Sequence, residues 1–339
     1  MWLARITAFA ANCNLLMEYS GYFWPMLNSG WTRAAAVTLL VTSLTIINVV
    51  GVRNAALFSD VSTIAKLIPI ALFIGVGLFF LNPQSFTPTT QPSFGGFSQS
   101  VMLLVYAFTG FEMALIPAGE VRDPKRNMPF AILTALGIVA VLYILIQVVC
   151  IGTLPELAAS KRPLADAANH FMGQVGASVI TAGAIVSILG NLTVLILAGA
   201  RLPFTMAGQN ELPKILGETH PRFFTPHAAI WLTGAVMLAL TLSGTFIYGV
   251  TISTIARLLA YTTTCAGLII LRRREAEPPL FKAPMGVTVA VLAMGLIVWL
   301  LAHSTPREAR DAAIAVAAGL VIYAACKLKR QPPTTEKET

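Results

Sequence analysis

FAILTALGIVAVLYILIQVVCIG, Phe130–Gly152, runs through the middle of the chain without one charged side chain. An α-helix rises 1.5 Å per residue, so roughly 20 such residues cross about 30 Å of hydrocarbon. A membrane strand would alternate polar and apolar residues at every second position. This stretch does not: Ile138-Val139-Ala140-Val141-Leu142 is apolar throughout. Long apolar blocks recur at Ile64–Leu81, interrupted only by Lys66, and around Ile314–Cys326. The whole chain follows suit, with 339 residues that are 56% hydrophobic and 11% charged, against about 25% charged in an ordinary soluble protein. So few charges cannot cover that much apolar surface in water. The composition therefore implies an all-α integral membrane protein.

Working outward from that block, the sequence predicts about ten transmembrane helices. They fall at approximately 2–25, 33–51, 61–81, 98–119, 130–152, 175–199, 228–244, 247–271, 285–302 and 310–327. Turn signals separate them, among them Pro25 with Asn28 and Gly30, Asn82-Pro83, Asp123-Pro124, Thr225-Pro226 and Pro278-Pro279. Residues 328–339 are polar, carry Pro332-Pro333 and read as a disordered cytoplasmic tail. Lys and Arg placement orients the bundle. With Met1 in the cytoplasm, only Arg33, Lys161, Arg162, Arg307 and Arg310 fall outside, while most of the 23 basic residues fall inside. Ten spans then return both termini to the cytoplasm.

The net charge of +8 sits in short loops between apolar blocks. It reads as membrane topology, and no nucleic-acid partner is expected. The cysteines Cys13, Cys150, Cys265 and Cys326 lie inside apolar blocks without metal spacing or a pairing pattern. The four histidines lie in or beside connecting segments. No metal or cofactor is expected, and no nucleophile or His/Asp/Glu cluster at a membrane face points to an enzyme. No cleavable signal peptide is visible, because Met1–Trp24 is too long for a signal core and lacks a small-residue cleavage site.

Ionisable residues inside the spans are expensive and point to function. Four stand out: Glu18, Lys66, Glu112 and Arg257. Glu112 ends Tyr106-Ala107-Phe108-Thr109-Gly110-Phe111-Glu112, where a glycine and an acid interrupt the fourth span. Pro117 and Gly119 follow. Transporters unwind helices at such places and use the freed backbone groups to hold substrate. The competing reading is a glycine at a helix contact beside an acid facing a watery crevice. Lys66, one turn into the third span, fits either a desolvated, proton-exchanging lysine or a lysine snorkelling to the cytoplasmic surface. Arg257 cannot deprotonate and must pair or hydrogen-bond; it fits a structural or gating link to Glu112 or Glu18 as well as it fits a substrate role. Glu18 lies among Tyr19, Tyr22, Phe23 and Trp24 and reads best as part of an interfacial aromatic belt. Asn12, Asn14, Asn191 and Thr193 either line a cavity or bridge helices.

At this point the motifs become specific. Phe108-Thr109-Gly110-Phe111-Glu112, followed by Gly119-Glu120-Val121-Arg122-Asp123-Pro124-Lys125-Arg126-Asn127-Met128-Pro129, resembles the sixth-span signature of amino-acid permeases of the amino acid–polyamine–organocation superfamily. Glu211-Leu212-Pro213, His220-Pro221-Arg222-Phe223, Ala256-Arg257-Leu258 and Phe281-Lys282-Ala283-Pro284 extend the resemblance over nearly the whole chain. It implies a leucine-transporter-like bundle with inverted repeats, beginning at the third of twelve family spans. The expected permease domain covers 1–327. Within it, 1–81 is the remainder of the first repeat, 98–271 the second repeat and 285–327 the extra helix pair. The first two family spans, with their glycine-rich break, are absent from that map, and a reading frame upstream of Met1 is expected to supply them.

The resemblance also implies roles. Tyr106, Ala107 and Thr109, around Gly110, resemble positions that meet the amino acid, and Phe108 and Phe111 would shape its occlusion. Asn12 or Asn14, and Asn191 or Leu192, resemble pocket-lining positions. Glu112 resembles an acid coupled to gating. Lys66 resembles the lysine that takes the place of sodium in sodium-coupled relatives, which implies proton coupling. The expectation is a proton-coupled amino-acid transporter of a bacterial inner membrane, with an amino acid, protons and lipid as its partners. Polyamine or organic-cation transport, exchange, and a truncated non-transporting membrane protein are the alternatives.

Overall fold

A computed structural model describes residues 1–51, 55–87, 93–113, 121–274, 285–304 and 306–328. Among the described residues all regular structure is helical. The ten α-helices are α1 (Trp2–Ser20), α2 (Gly30–Val50), α3 (Ala55–Gly77), α4 (Phe94–Ala107), α5 (Pro124–Thr153), α6 (Pro163–Gly208), α7 (His227–Ser243), α8 (Phe246–Arg274), α9 (Gly286–Ala302) and α10 (Pro306–Leu328). Five segments are long and apolar enough to cross a membrane: Gly30–Val50, Phe94–Met113, Pro124–Thr153, Pro163–Gly208 and Phe246–Arg272. Lys66–Phe80, His227–Ser243 and Gly286–Ala302 are apolar but shorter. Large apolar side chains such as Leu39, Phe130, Leu133, Leu292 and Val298 face outward, as a lipid-facing surface requires and a water-facing one rarely tolerates.

Several boundaries depart from the hydropathy reading, each for a local reason. The expected span at 130–152 begins earlier, at Pro124. Asp123 takes a left-handed conformation (φ 48°), and its carbonyl accepts the N–H groups of Arg126 and Asn127 at 3.3 and 3.0 Å. Pro124 then opens the helix, where its missing N–H costs nothing. Hydropathy ends a span where polar residues begin, but the helix itself continues into them. The span at 175–199 is likewise only the middle of α6, which bends at Gly173 (φ 66°, ψ −166°) into two helical pieces. The piece before the bend, built on Pro163 with Asp166 in its first turn, lies in a stretch expected to be a loop. Its apolar face is made of alanines, Ala165, Ala167 and Ala168, all fully buried. The fourth span, expected at 98–119, is α-helical only to Ala107. Pro117, Gly119 and Glu120 lie outside the described residues, as do Arg53, Phe281–Pro284 and the tail from 329 onward.

The core is organised around α1, which packs against α6, α7 and α8. Ala4, Phe9, Ala11 and Cys13 of α1 are fully buried. Phe9 and Cys13 belong to a cluster with Val37, Val41, Ile196 and Met237 from α2, α6 and α7. A second cluster, centred on Phe73, Val149 and Ile180, joins α3, α5 and α6. Cys13, Cys150 and Cys265 are free thiols. Close approach of α8 to α1 depends on Gly249. A Cβ there would lie 3.0 Å from the Thr7 carbonyl oxygen and 3.1 Å from Ala11.

Overpacking a tight contact costs about 1–3 kcal/mol. Gly249→Val is therefore expected to destabilise the protein by about that amount. Gly295→Val is expected to leave stability unchanged, since a Cβ there meets nothing within 4 Å. Thermal unfolding of the two variants in detergent, measured side by side, checks both.

Candidate functional site

The site grows from the end of α4. The Phe108 N–H closes on the carbonyls of Leu104 and Val105, both at 3.2 Å, and the Thr109 N–H on the Tyr106 carbonyl at 3.0 Å. The Thr109 hydroxyl donates to that same carbonyl at 2.7 Å. Gly110 then turns the chain out of the helix at φ +112°, a conformation that a side chain would strain. A tight turn over Phe111, Glu112 and Met113 follows, with the Met113 N–H on the Gly110 carbonyl at 3.0 Å. One carbonyl released by the break, that of Ala107, accepts the Tyr143 hydroxyl from α5 at 3.0 Å. Phe108 packs edge-on against the Tyr143 ring.

Glu112 folds back over this turn. Its Oε2 accepts the Gly110 N–H at 2.8 Å and the Tyr261 hydroxyl at 3.2 Å. Its Oε1 accepts Arg257 Nε at 3.1 Å. The pair is well enclosed, with the Arg257 side chain 6% exposed and that of Glu112 17%. Arg257 Nη1 also donates to Ser253 Oγ at 2.5 Å, and Ser253 donates to the Ala4 carbonyl of α1 at 2.7 Å. The guanidinium carbon stands 6.0 Å from the centre of the Tyr106 ring. The Tyr106 hydroxyl accepts Asn12 Nδ2 from α1 at 3.3 Å. One polar network thus ties the α4 break to α8 and α1.

The expected site residues distribute unevenly. Tyr106, Ala107, Phe108, Thr109, Gly110, Phe111 and Glu112 line the break itself, and Asn12 and Arg257 join them. Of the two acids open to Arg257, the structure pairs it with Glu112. Asn14 turns away to the end of α7, where Nδ2 donates to the Thr241 and Gly244 carbonyls at 3.3 and 3.4 Å. Two residues apart on a helix, Asn12 and Asn14 face different ways. Asn191 is exposed on α6, while Leu192 is buried in the α1–α2–α6–α7 core. Lys66 is half-buried on α3 and forms no ion pair among the described residues.

Four participants were not anticipated: Tyr143, Tyr261, Ser253 and Arg5. Ser253, Arg257 and Tyr261 stand four residues apart, one face of a helix, and that spacing was available in the sequence. Arg5, one of the basic residues that the orientation places on the cytoplasmic side, donates to the Ala198 carbonyl of α6 and reaches Met113 Sδ at 3.3 Å. Among the described residues no group of His, Cys, Asp or Glu could hold a metal ion.

Comparison with known proteins agrees with this architecture. A model of the amino acid permease family matches residues 1–325. A methylthioribose transporter of Bacillus subtilis (strain 168) is 30% identical over 296 residues, which cover 86% of this chain and 63% of the relative. From the same organism, the branched-chain amino acid permease BcaP is 24% identical over 320 residues, 85% of this chain and 69% of the relative. The serine/threonine exchanger SteT is 27% identical over 312 residues, 89% and 71% respectively. The chain thus spans under two thirds of the first relative and somewhat more of the other two.

Removing one partner of a buried ion pair costs about 3–5 kcal/mol, because the other charge is left uncompensated. Arg257→Gln is expected to lose stability on that scale, and Glu112→Gln/Arg257→Gln to lose less than Arg257→Gln alone. Unfolding measurements on both single variants and the double variant check this. Strictly additive losses would mean that the two side chains do not act as a pair.

Proposed function

The chain belongs to the amino acid permease family, and from that premise we propose that it forms most of the substrate path of a secondary transporter for amino acids. The observation that carries the proposal is the α4 break, where Gly110 leaves the helix and Glu112 closes the turn onto Arg257. A broken helix in an apolar bundle presents backbone dipoles at mid-membrane depth, and such ends attract the charged groups of an amino acid. Tyr106, Thr109 and Asn12 would add hydrogen-bonding groups beside that end. Phe108 and Phe111 would close over the side chain.

Alternating access would proceed by rocking the bundle that holds the break against the helices around it. The Glu112–Arg257 pair would bias this equilibrium, because it joins α4 to α8 only while both charges meet. Lys66 would supply proton coupling by gaining and losing its charge as the bundle opens to each side. The repeat organisation, both termini in the cytoplasm and a bacterial inner membrane belong to the same reading. Polyamine transport is less favoured, since Glu112 is already neutralised by Arg257 and Glu18 alone would have to bind a polycation.

Reconstitution of the full gene product in proteoliposomes tests this. Uptake of L-leucine, L-serine or L-threonine is expected to follow an imposed pH gradient, and Lys66→Ala to abolish that response. Uptake that follows sodium and ignores protons would overturn the coupling. Glu112→Gln is expected to lower uptake at least tenfold and to flatten its dependence on pH. Unchanged uptake from pH 5 to 8 would remove Glu112 from the mechanism.

A further inference from the structure

A separate cavity of about 350 Å³ opens where α1 ends, α2 begins and α7 passes to α8. Its wall carries one acid, Glu18, and one guanidinium, Arg33, together with Asn14, Thr241, Gly244 and Phe246. Glu18 lies six residues beyond Asn12 on α1, so the cavity is about 9 Å further along the helix axis than the Asn12–Tyr106 contact.

Arg33 is fixed in place by hydrogen bonds, and among the described residues it forms no ion pair. Its Nη2 donates to Asn14 Oδ1 at 2.8 Å and its Nη1 to the Asn28 carbonyl at 3.3 Å. Asn14 is itself only 4% exposed, and its Nδ2 is spent on the Ala10, Thr241 and Gly244 carbonyls. A guanidinium has five N–H donors, and among the described residues only two of those of Arg33 are engaged. Glu18 forms no hydrogen bond or ion pair among the described residues. Two opposite charges therefore line one cavity without forming an ion pair among the described residues, although Arg33 and Lys161 both attract Glu18 through space. The Thr241 and Gly244 carbonyls belong to the C-terminal end of α7, which favours positive charge. Cation-attracting and anion-attracting groups thus share a space at the small end of ligand pockets, roughly 300–1,000 Å³.

We infer that this cavity is a second binding site, for a compact zwitterion bearing a primary ammonium and a carboxylate or phosphate. The anionic group meets Arg33. The ammonium meets Glu18 and the carbonyl end of α7. Two sources supply this chemistry: a free α-amino acid, and the headgroup of a phosphatidylethanolamine lipid. The amino-acid form rests on the transport reading above; the lipid form does not.

Isothermal titration of the full gene product in lipid-free detergent, with L-leucine as probe, tests the first source. Leucine is expected to bind at least tenfold more tightly than isoamylamine or 4-methylpentanoate, each of which lacks one of its charges. A binding component that persists in Glu112→Gln is expected to weaken at least tenfold in Glu18→Gln. Native mass spectrometry from phosphatidylethanolamine or phosphatidylcholine nanodiscs tests the second source. Retention of the ethanolamine lipid alone, lost in Glu18→Gln, assigns the site to the headgroup. Arg33→Gln would break the bond to Asn14 and so alter the packing of α1 as well as the site, and Glu18→Gln therefore decides. The inference is overturned when neither probe responds to Glu18→Gln. Leucine binding that is lost in Glu112→Gln and untouched by Glu18→Gln and by the lipid arm overturns it and leaves the transport reading standing. The opposite pattern upholds this site and removes that reading.

Discussion

Inside hydrocarbon a peptide group without a hydrogen-bond partner costs several kcal/mol, so a membrane helix is broken only where other groups take over its backbone. The architecture around Gly110 answers that constraint. The Thr109 hydroxyl, the Tyr143 hydroxyl and the Glu112 carboxylate each satisfy a backbone group that a continuous helix would have paired internally. Glu112 brings a charge in doing so, and that charge requires Arg257. Arg257 requires Ser253, and Ser253 reaches Ala4. The interior position of α1 and the approach of α8 at Gly249 follow from the same chain of dependence.

A buried ion pair is weak evidence for stability, because desolvation of both charges offsets much of their attraction. What the pair contributes here is position. Arg257 can satisfy Glu112, Ser253 and the Tyr106 ring only when α1, α4 and α8 hold one arrangement. Sliding any of the three by a helical turn would break several contacts together. The apolar clusters, whose contacts are not directional, constrain that register less.

Much of this was legible in the sequence, and the remainder was hidden for identifiable reasons. Charge-free blocks exposed the helices because a bilayer demands them. Gly110 followed by Glu112 exposed the break because neither residue suits the middle of a span. The partner of Arg257 was narrowed to two acids, and only packing could choose between them. The helix before Gly173 escaped notice because it buries alanines, which carry little hydropathy signal beside Asp166 and His170. The role of Asn14 was hidden by distance, since its carbonyl partners on α7 lie more than two hundred residues away. Tyr143 escaped for the same reason, being one aromatic among many until α5 is set beside the break.

The burial of α1 bears on how the protein is made. This helix is the most enclosed of the bundle, yet it is not among the segments apolar enough to enter lipid by composition. Arg5, Asn12 and Asn14 all find hydrogen-bond partners within the protein. The neighbours that enclose it, α6, α7 and α8, are synthesised much later. At about 5–20 residues per second, more than two hundred residues separate the end of α1 from the start of α8, a delay of roughly 10–45 s. The contacts that hold α1 in its final place are therefore completed only after α6, α7 and α8 have been made.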